Sequence, residues 1–391
     1  MIKDDFLSGI FYSVPNLRYY HSDKLSKVKL GNICSITGGY AFDSRKMKSK
    51  GEYQIIKMGN LYNGVLDLTR NPSFIDNPTK KELEYLIHKN DMLITLTGTV
   101  NKKDYGYTVQ LNNPNNLLLN QRCALIKPLN INEKYLFYLL NSNNFFKQFY
   151  ASSTGGTGNQ TNVSINDMLN FNMYIANEKN QIIISEFLNK IDQRIETQIK
   201  IIDSIKSQKQ QIRNILFNDI HQTPNCCVQD YVAYEQPQKY IVHDSNYLPY
   251  SKVLIPVLTA NQSFILGYTS ENDGIYKKGD CIIFDDFTNE SKYVNFPFKV
   301  KSSALKILQT KEGLLLKFFY EYLQFLNFEA INHKRHYLSE VAITEINVPD
   351  LKKQSYVCKV LSSVDIKLKN EEIILKNYKL QKHFLLANLF V

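Results

Sequence analysis

From Asn177 to Phe217 apolar residues recur every three to four positions, with no proline and no glycine to interrupt them. With Leu188 as heptad position a, the seam reads Leu188, Ile191, Ile195, Gln198, Ile202, Ile205, Lys209, Ile212, Leu216. The pattern returns from Asp350 to Phe390 as Leu361, Val364, Leu368, Glu371, Leu375, Tyr378, Lys382, Leu385, Leu389. Such a repeat specifies a helix with one sticky edge that needs a second helix to cover it. Two such helices in one chain are expected to pair with each other. The polar seam positions fall at matched places, which favours one register, because a slipped pairing would bury a lone charge.

The two stretches align without a gap, Gln354 on Gln181, and share Leu188/Leu361, Asp192/Asp365, Lys206/Lys379, Gln208/Gln381, Lys209/Lys382 and the closing Leu-Phe. Between them the pattern changes. From Lys29 to Phe171 short β-type runs (Tyr53 to Met58, Met92 to Leu96, Cys123 to Ile126) alternate with Gly/Asn/Pro turns, and one helical run covers Glu133 to Phe149. The second globular stretch repeats the first loosely. KNDMLI (89–94) matches KGDCII (278–283), Ala124-Leu125 resembles Ala304-Leu305, and the helix around Phe137-Tyr138 resembles that around Phe319-Tyr320. Its final loop, Asn332 to Tyr337, sits where TGGTGNQTN (154–162) sits in the first. The expected fold is therefore α+β: two globular domains in tandem, separated by two long helices that pair as an antiparallel coiled coil with pseudo-two-fold symmetry. The boundaries are an N-terminal arm 1–21, a first globule 22–177, a first helix 178–217, a second globule 218–349 and a second helix 350–391.

A chain of 391 residues suits two or three domains, and a 43% hydrophobic content supports real cores. No apolar run reaches a membrane span, and the opening MIKDDF carries acids where a signal peptide would carry bases. Six cysteines without C-x-x-C spacing, with one vicinal pair at Cys226-Cys227, read as reduced thiols and fit no recognised zinc spacing. A cytoplasmic protein without membrane or metal is expected. The net charge of +10 suggests nucleic acid but is uneven: residues 22–150 hold +8 and residues 221–349 hold −2. The second globule would have to touch DNA through a local patch.

Candidate contacts follow from residue chemistry. Thr157, Gly158, Asn159, Gln160 and Asn162 set amide side chains beside glycines, which suits adenine recognition as readily as a plain flexible loop. Lys102, Lys103 and Tyr105 form a basic-aromatic loop. In the second globule the matching candidates are Gln236, Lys239, Tyr240, Gln262, Tyr268 and the run His333, Lys334, Arg335, His336, whereas Tyr234 and Phe284 are expected in the core. Three patterns imitate catalysis. Asn71-Pro72-Ser73-Phe74 approaches a methyltransferase N-P-P-F motif, but no glycine-rich loop is placed for S-adenosylmethionine, so it reads as a turn. Pro349-Asp350 with Asp365-Ile366-Lys367 imitates a nuclease centre, but the heptad register makes Asp365 a solvated helix position. His333 and His336 lack further ligands. No Walker loop is present, so translocation would fall to a partner.

The alternation of variable globule and repeated heptad helix resembles the specificity subunit of Type I restriction–modification systems along essentially the whole chain. The sharpest matches are NDMLITLTGTV and NQRCALIKP in the first half, and YEQPQKY, PVLTANQSFILGYT, GIYKKGDCIIFDDFT, KVKSSALKIL and HKRHYLS in the second. The tryptophan common before each globule in that family is absent here. The resemblance implies two target recognition domains, each reading half of a bipartite double-stranded DNA site. It also implies helices that act as spacer and as platform for two methyltransferase subunits, with restriction/translocase subunits joining them. S-adenosylmethionine, ATP and Mg would be used by those partners, none bound by this chain, which would have no catalysis of its own. The rival readings are a fused or free-standing DNA methyltransferase, and a scaffold or decoy that binds the methyltransferase without DNA.

Overall fold

The computed structural model describes residues 25–390 apart from 63, 101, 113, 156–159, 245, 260–263 and 329–335. The chain divides into two compact units, Met1–Thr197 with Leu375–Val391, and Gln198–Ile374. The α-helices among the described residues are α1 (Lys80–Leu83), α2 (Glu133–Leu139), α3 (Asn143–Ala151), α4 (Ile165–Leu169), α5 (Glu178–His221), α6 (Val228–Tyr231), α7 (Leu316–Leu326) and α8 (Leu351–Asn388). The architecture is α+β, with two β-rich domains and the long helices α5 and α8 paired.

In the first unit Ser26–Lys29 pairs antiparallel with Asn172–Ile175, so the two ends of the globule close on each other. The central sheet runs Cys34–Gly38, Cys123–Pro128, Met92–Thr95, Thr108–Gln110 in that spatial order, antiparallel throughout. Every residue of Met92–Thr95 is buried, so MLIT reads as an unbroken run rather than an alternation. A three-stranded sheet sets Leu117–Leu119 parallel to Tyr53–Ile56 and Phe74–Ile75 antiparallel to it. Helices α2 and α3 start on side-chain caps: Asn132 Oδ1 accepts from Tyr135 N at 2.9 Å and Ser142 Oγ from Phe145 N at 3.3 Å.

The second unit repeats these three sheets strand for strand. Cys226–Cys227 pairs with Glu345–Ile346. The central antiparallel sheet runs Val232–Glu235, Leu305–Thr310, Cys281–Asp285, Ser291–Val294. The smaller sheet sets Lys299–Val300 parallel to Ile255–Leu258, with Ile265–Thr269 antiparallel on the other side. Helix α7 stops at Asn327, which takes a left-handed φ of 45°.

Within the second unit α5 runs antiparallel to α8, since Gln198 meets Glu371 and Lys209 meets Asp365. Within the first unit the corresponding halves meet through Asp192 and Lys382. Every apolar seam position is buried or half-buried: Leu188, Ile191, Ile195, Ile202, Ile205, Ile212 and Leu216 on α5, and Leu361, Val364, Leu368, Leu375, Tyr378, Leu385 and Leu389 on α8. Towards the ends the seam packs on more than helix. Leu188, Ile191, Leu385 and Leu389 join the first unit's core, and Leu361, Ile212 and Leu216 lie in or against the second unit's. The closing phenylalanines plug the globules: Phe390 lies 5.2 Å from the Tyr135 ring, and Phe217 lies 5.2 Å from Phe318 and 4.8 Å from Tyr322.

Matched polar residues have matched roles. Gln181 donates to Ala176 O at 2.9 Å and accepts from Asn132 N at 3.1 Å, at the start of α2. Gln354 donates to Pro349 O and Gly313 O, both at 2.8 Å, and accepts from Leu315 N, at the start of α7. Each glutamine ties its long helix to a helix N-terminus of its own globule, where unpaired amides need an acceptor. Asp365, expected on a solvated face, is instead half-buried, bonded to Lys209 Nζ at 2.6 Å and Lys317 Nζ at 3.3 Å. Its counterpart Asp192 binds Lys382 at 2.6 Å and accepts from Tyr138 Oη at 2.8 Å.

Candidate nucleic-acid interface

In the first unit a small sheet pairs Thr97–Thr99 with Gln160–Asn162, and the latter with Thr154–Gly155. Two sequence candidates therefore share one edge. Gln160 stands opposite Thr99, whose carbonyl accepts from Lys102 N at 3.0 Å as the chain turns into the lysine loop. Lys102, Lys103 and Asn162 are exposed and Gln160 is half-buried. Lys103 Nζ lies 5.7 Å above the Tyr150 ring, and Asn162 Oδ1 accepts from Thr97 Oγ1 at 3.0 Å. Thr157, Gly158 and Asn159 lie outside the described residues.

Tyr105 does not belong with these contacts. It is 3% exposed, its hydroxyl lies 2.8 Å from Ser153 Oγ, and its ring covers Gly98 so closely that no Cβ fits there. The glycine of the TGT strand thus makes room for a core tyrosine. Basic-aromatic spacing alone could not separate a stacking ring from a packing one.

The loops that differ most between the globules return to equivalent anchors. In the first unit Leu96 N donates to Arg122 O, and Val163 N returns to Leu96 O, both at 3.0 Å. In the second, Asp286 N donates to Ala304 O at 3.1 Å, and His336 N returns to Asp286 O at 3.0 Å. Val163 and His336 are thereby held at comparable places beside the central sheets of their own units. The second anchor is charged: Asp286 Oδ1 accepts from Tyr337 N at 2.9 Å and Oδ2 meets Lys306 Nζ at 3.3 Å, both side chains being buried. Lys306 Nζ also lies 4.8 Å from the Tyr234 ring.

His336 is 2% exposed, with Nδ1 2.8 Å from Glu340 Oε1, so it anchors its loop rather than projecting from it. His333, Lys334, Arg335 and Gln262 lie outside the described residues. Tyr240 is a second correction of this kind. It is 7% exposed, stacks edge-on against Tyr276 and donates to Glu235 at 2.9 Å, and burial pushes its hydroxyl above the usual tyrosine range. Gln236 is half-buried and Lys239 exposed on the same turn. Tyr268 is half-buried, with its ring 5.2 Å from that of Tyr250. Phe284 is buried as expected, but Tyr234 is 39% exposed and covers Lys306 instead of filling the core.

The imitations of catalysis have structural explanations. Asn71 takes a φ of 47° in a turn, and Asp350 accepts from Lys353 N at 2.8 Å as the cap of α8. Among the described residues one group, His243, Glu271 and Asp273, brings metal-type ligand atoms within 4.8 Å of one another. The Glu271 carboxylate there already serves Lys299 at 2.7 Å and the amides of His243 and Asp244. Burial pushes the thiols of Cys34, Cys123 and Cys281 up to about 12, which makes them poor nucleophiles. No helix of the described residues is long and apolar enough to cross a membrane.

Residues 23–207 match the family model of the Type I restriction modification DNA specificity domain. Residues 23–207 are a Type I restriction–modification DNA specificity domain. A stretch of 122 residues is 45% identical to the specificity subunit of the Escherichia coli Type I restriction enzyme EcoR124I/EcoR124II, and it spans 30% of either protein. The S subunit of a Type I restriction–modification system from M. genitalium shares the fold over 97% of this chain and 98% of its own, with a TM-score of 0.54 at 15% identity.

Proposed function

We propose that the chain is a non-catalytic DNA-reading subunit in which each globule reads one half of a bipartite duplex site. The two target recognition domains would span about 22–177 and 218–349, with helices 178–217 and 350–391 fixing the gap between half-sites. The same helices would carry two methyltransferase subunits, with restriction/translocase subunits joining the assembly. S-adenosylmethionine, ATP and Mg would act on those partners, and this chain would hold none of them. A cytoplasmic location follows from that role.

The observation that carries the reading is the equivalence of the two loop anchors, Leu96 with Val163 and Asp286 with His336. Duplicated scaffolds that hold different polar loops at one place suit a ligand that is itself two-fold in backbone but different in sequence at its two ends. The candidate contacts are Lys102, Lys103, Gln160 and Asn162 on one globule and Gln236, Lys239 and Tyr268 on the other. The loop residues Thr157, Gly158, Asn159, Gln262, His333, Lys334 and Arg335 join them on residue chemistry alone.

Competition binding of the full chain with its methyltransferase, against duplexes scrambled in one half-site at a time over a salt series, tests this. Neutralising Lys102 and Lys103 should weaken binding to all sequences and flatten the salt dependence, by up to about one slope unit for each phosphate no longer neutralised. Replacing Lys334 and Arg335 should weaken discrimination of the second half-site alone. Labelled S-adenosylmethionine binding to the isolated chain would favour the methyltransferase reading, and assembly without DNA binding would favour the scaffold reading.

A further inference from the structure

The smaller sheets of the two units carry equivalent outer segments of opposite chemistry. In the first unit Lys48 and Phe74 exchange backbone hydrogen bonds, both at 2.9 Å. In the second, Leu248 and Tyr268 do the same at 2.8 and 3.0 Å. The first segment is charged and locally neutralised: Arg45 meets Asp43 at 2.8 Å, Lys48 meets Asp76 at 2.8 Å, and Lys46 lies 3.9 Å from Glu82. That is an ordinary solvated surface. The second segment, whose one charged side chain is the exposed Lys252, opens three large apolar side chains to solvent, with Leu248 43%, Tyr250 69% and Val253 88% exposed. It is also held in place. The Tyr250 ring packs edge-on against Tyr268, and Tyr247 lies so close over Gly267 that a side chain there would collide with it.

Adjacent large apolar side chains fixed in solvent mark an interaction surface. A partner that engages both units alike needs the same chemistry at equivalent places, and this segment offers opposite chemistry. What differs between the units, on the function proposed above, is the half-site each one reads. In the major groove the apolar feature of a base pair is the thymine C5-methyl, which aliphatic and aromatic side chains recognise by contact. Residues 221–349 carry a net charge of −2, so recognition there gains little from phosphate attraction, and an apolar edge needs none. We propose that Leu248, Tyr250 and Val253 form an apolar reading edge that contacts thymine methyl groups in the half-site of the second unit. The inference rests on the DNA-reading function and adds to it the chemical feature recognised.

The test uses the full chain with its methyltransferase and duplexes in which the thymines of the second half-site are replaced by uracil. Wild-type protein should bind the uracil duplex about fourfold more weakly for each methyl contacted. Tyr250→Ser and Val253→Ser variants should lose a similar factor on the thymine duplex and be indifferent to the replacement, with first-half-site discrimination and thermal unfolding unchanged. Wild-type indifference to uracil, variants that bind like wild type, or a second half-site made only of G·C pairs overturns the proposal. So does loss of methyltransferase assembly with DNA affinity intact, which would make the edge a protein contact. A wild-type protein with no preference for its own site overturns the underlying function as well, whereas normal site discrimination by a wild type indifferent to uracil, or by variants that bind like wild type, removes only this inference.

Discussion

Gln198 Nε2 donates to Glu371 Oε2 at 2.5 Å, and the two residues, 173 positions apart, hold the same place in the two copies of the heptad helix. A repeat whose copies meet at their own equivalent positions has one register open to it. Lys209 with Asp365 in one unit, and Lys382 with Asp192 in the other, repeat the same exchange of matched residues. A slipped pairing would leave these partly buried charges without partners, which is costly.

The helix pair should be intolerant of a break in its buried stretch. Ile202 is 5% exposed mid-helix, so Ile202→Pro removes a backbone donor and clashes with the preceding turn. A cost of about 3 kcal/mol is expected, measured as a lower urea midpoint with reduced helical circular dichroism. Unchanged stability would contradict the pairing.

Glu321 should be the most sensitive charge in the second unit. Its side chain is fully buried and bonds Lys209 at 3.0 Å and Arg213 at 2.9 Å, with Lys317 at 3.6 Å. Glu321→Ala leaves Arg213 without a carboxylate and Lys209 and Lys317 with Asp365 alone, and should cost on the order of 3–5 kcal/mol in chemical denaturation. A loss below about 1 kcal/mol, typical of exposed pairs, would mean that water reaches the network.

The glutamine ties predict a different signature. Gln354→Leu fits the space but leaves Leu315 N, Gly313 O and Pro349 O without their partner, at about 1–3 kcal/mol. Amide exchange should then rise first at the start of α7. Uniform exchange across the second unit would show that the residue fills space rather than joining the elements.

How far the sequence discloses this molecule depends on the kind of signal. The heptads of α5 and α8 are legible because a 3.5-residue repeat over forty residues has one structural solution, and their seam side chains are buried or half-buried. The repeated globule is legible through KNDMLI and KGDCII, which become the fully buried strands Met92–Thr95 and Cys281–Asp285. The contacts are less so. Tyr105, Tyr240 and His336 look like solvent-facing readers in local pattern but are buried by partners distant in sequence, Ser153, Tyr276 and Asp286. The partnership of Asp365 with Lys209 is visible in the sequence only as two separate identities under the repeat. The apolar edge at Leu248–Val253 carries no motif, and only its pairing with Tyr268 sets it against Lys48.

Helix length should set spacing. Adding one heptad to each long helix keeps the seam in register and lengthens the axis by about 10 Å. The preferred gap between half-sites should then grow by about three base pairs, at ~3.4 Å each, with both half-sites unchanged.

Single-molecule methylation mapping of a genome carrying this chain with its methyltransferase tests the central claim most directly. The account predicts methylated bases in one bipartite motif of two different half-sites separated by a fixed unread gap, and a changed second half-site alone when residues 218–349 are exchanged for those of another specificity subunit. Methylation at a continuous motif, or a first half-site that changes with that exchange, would contradict it.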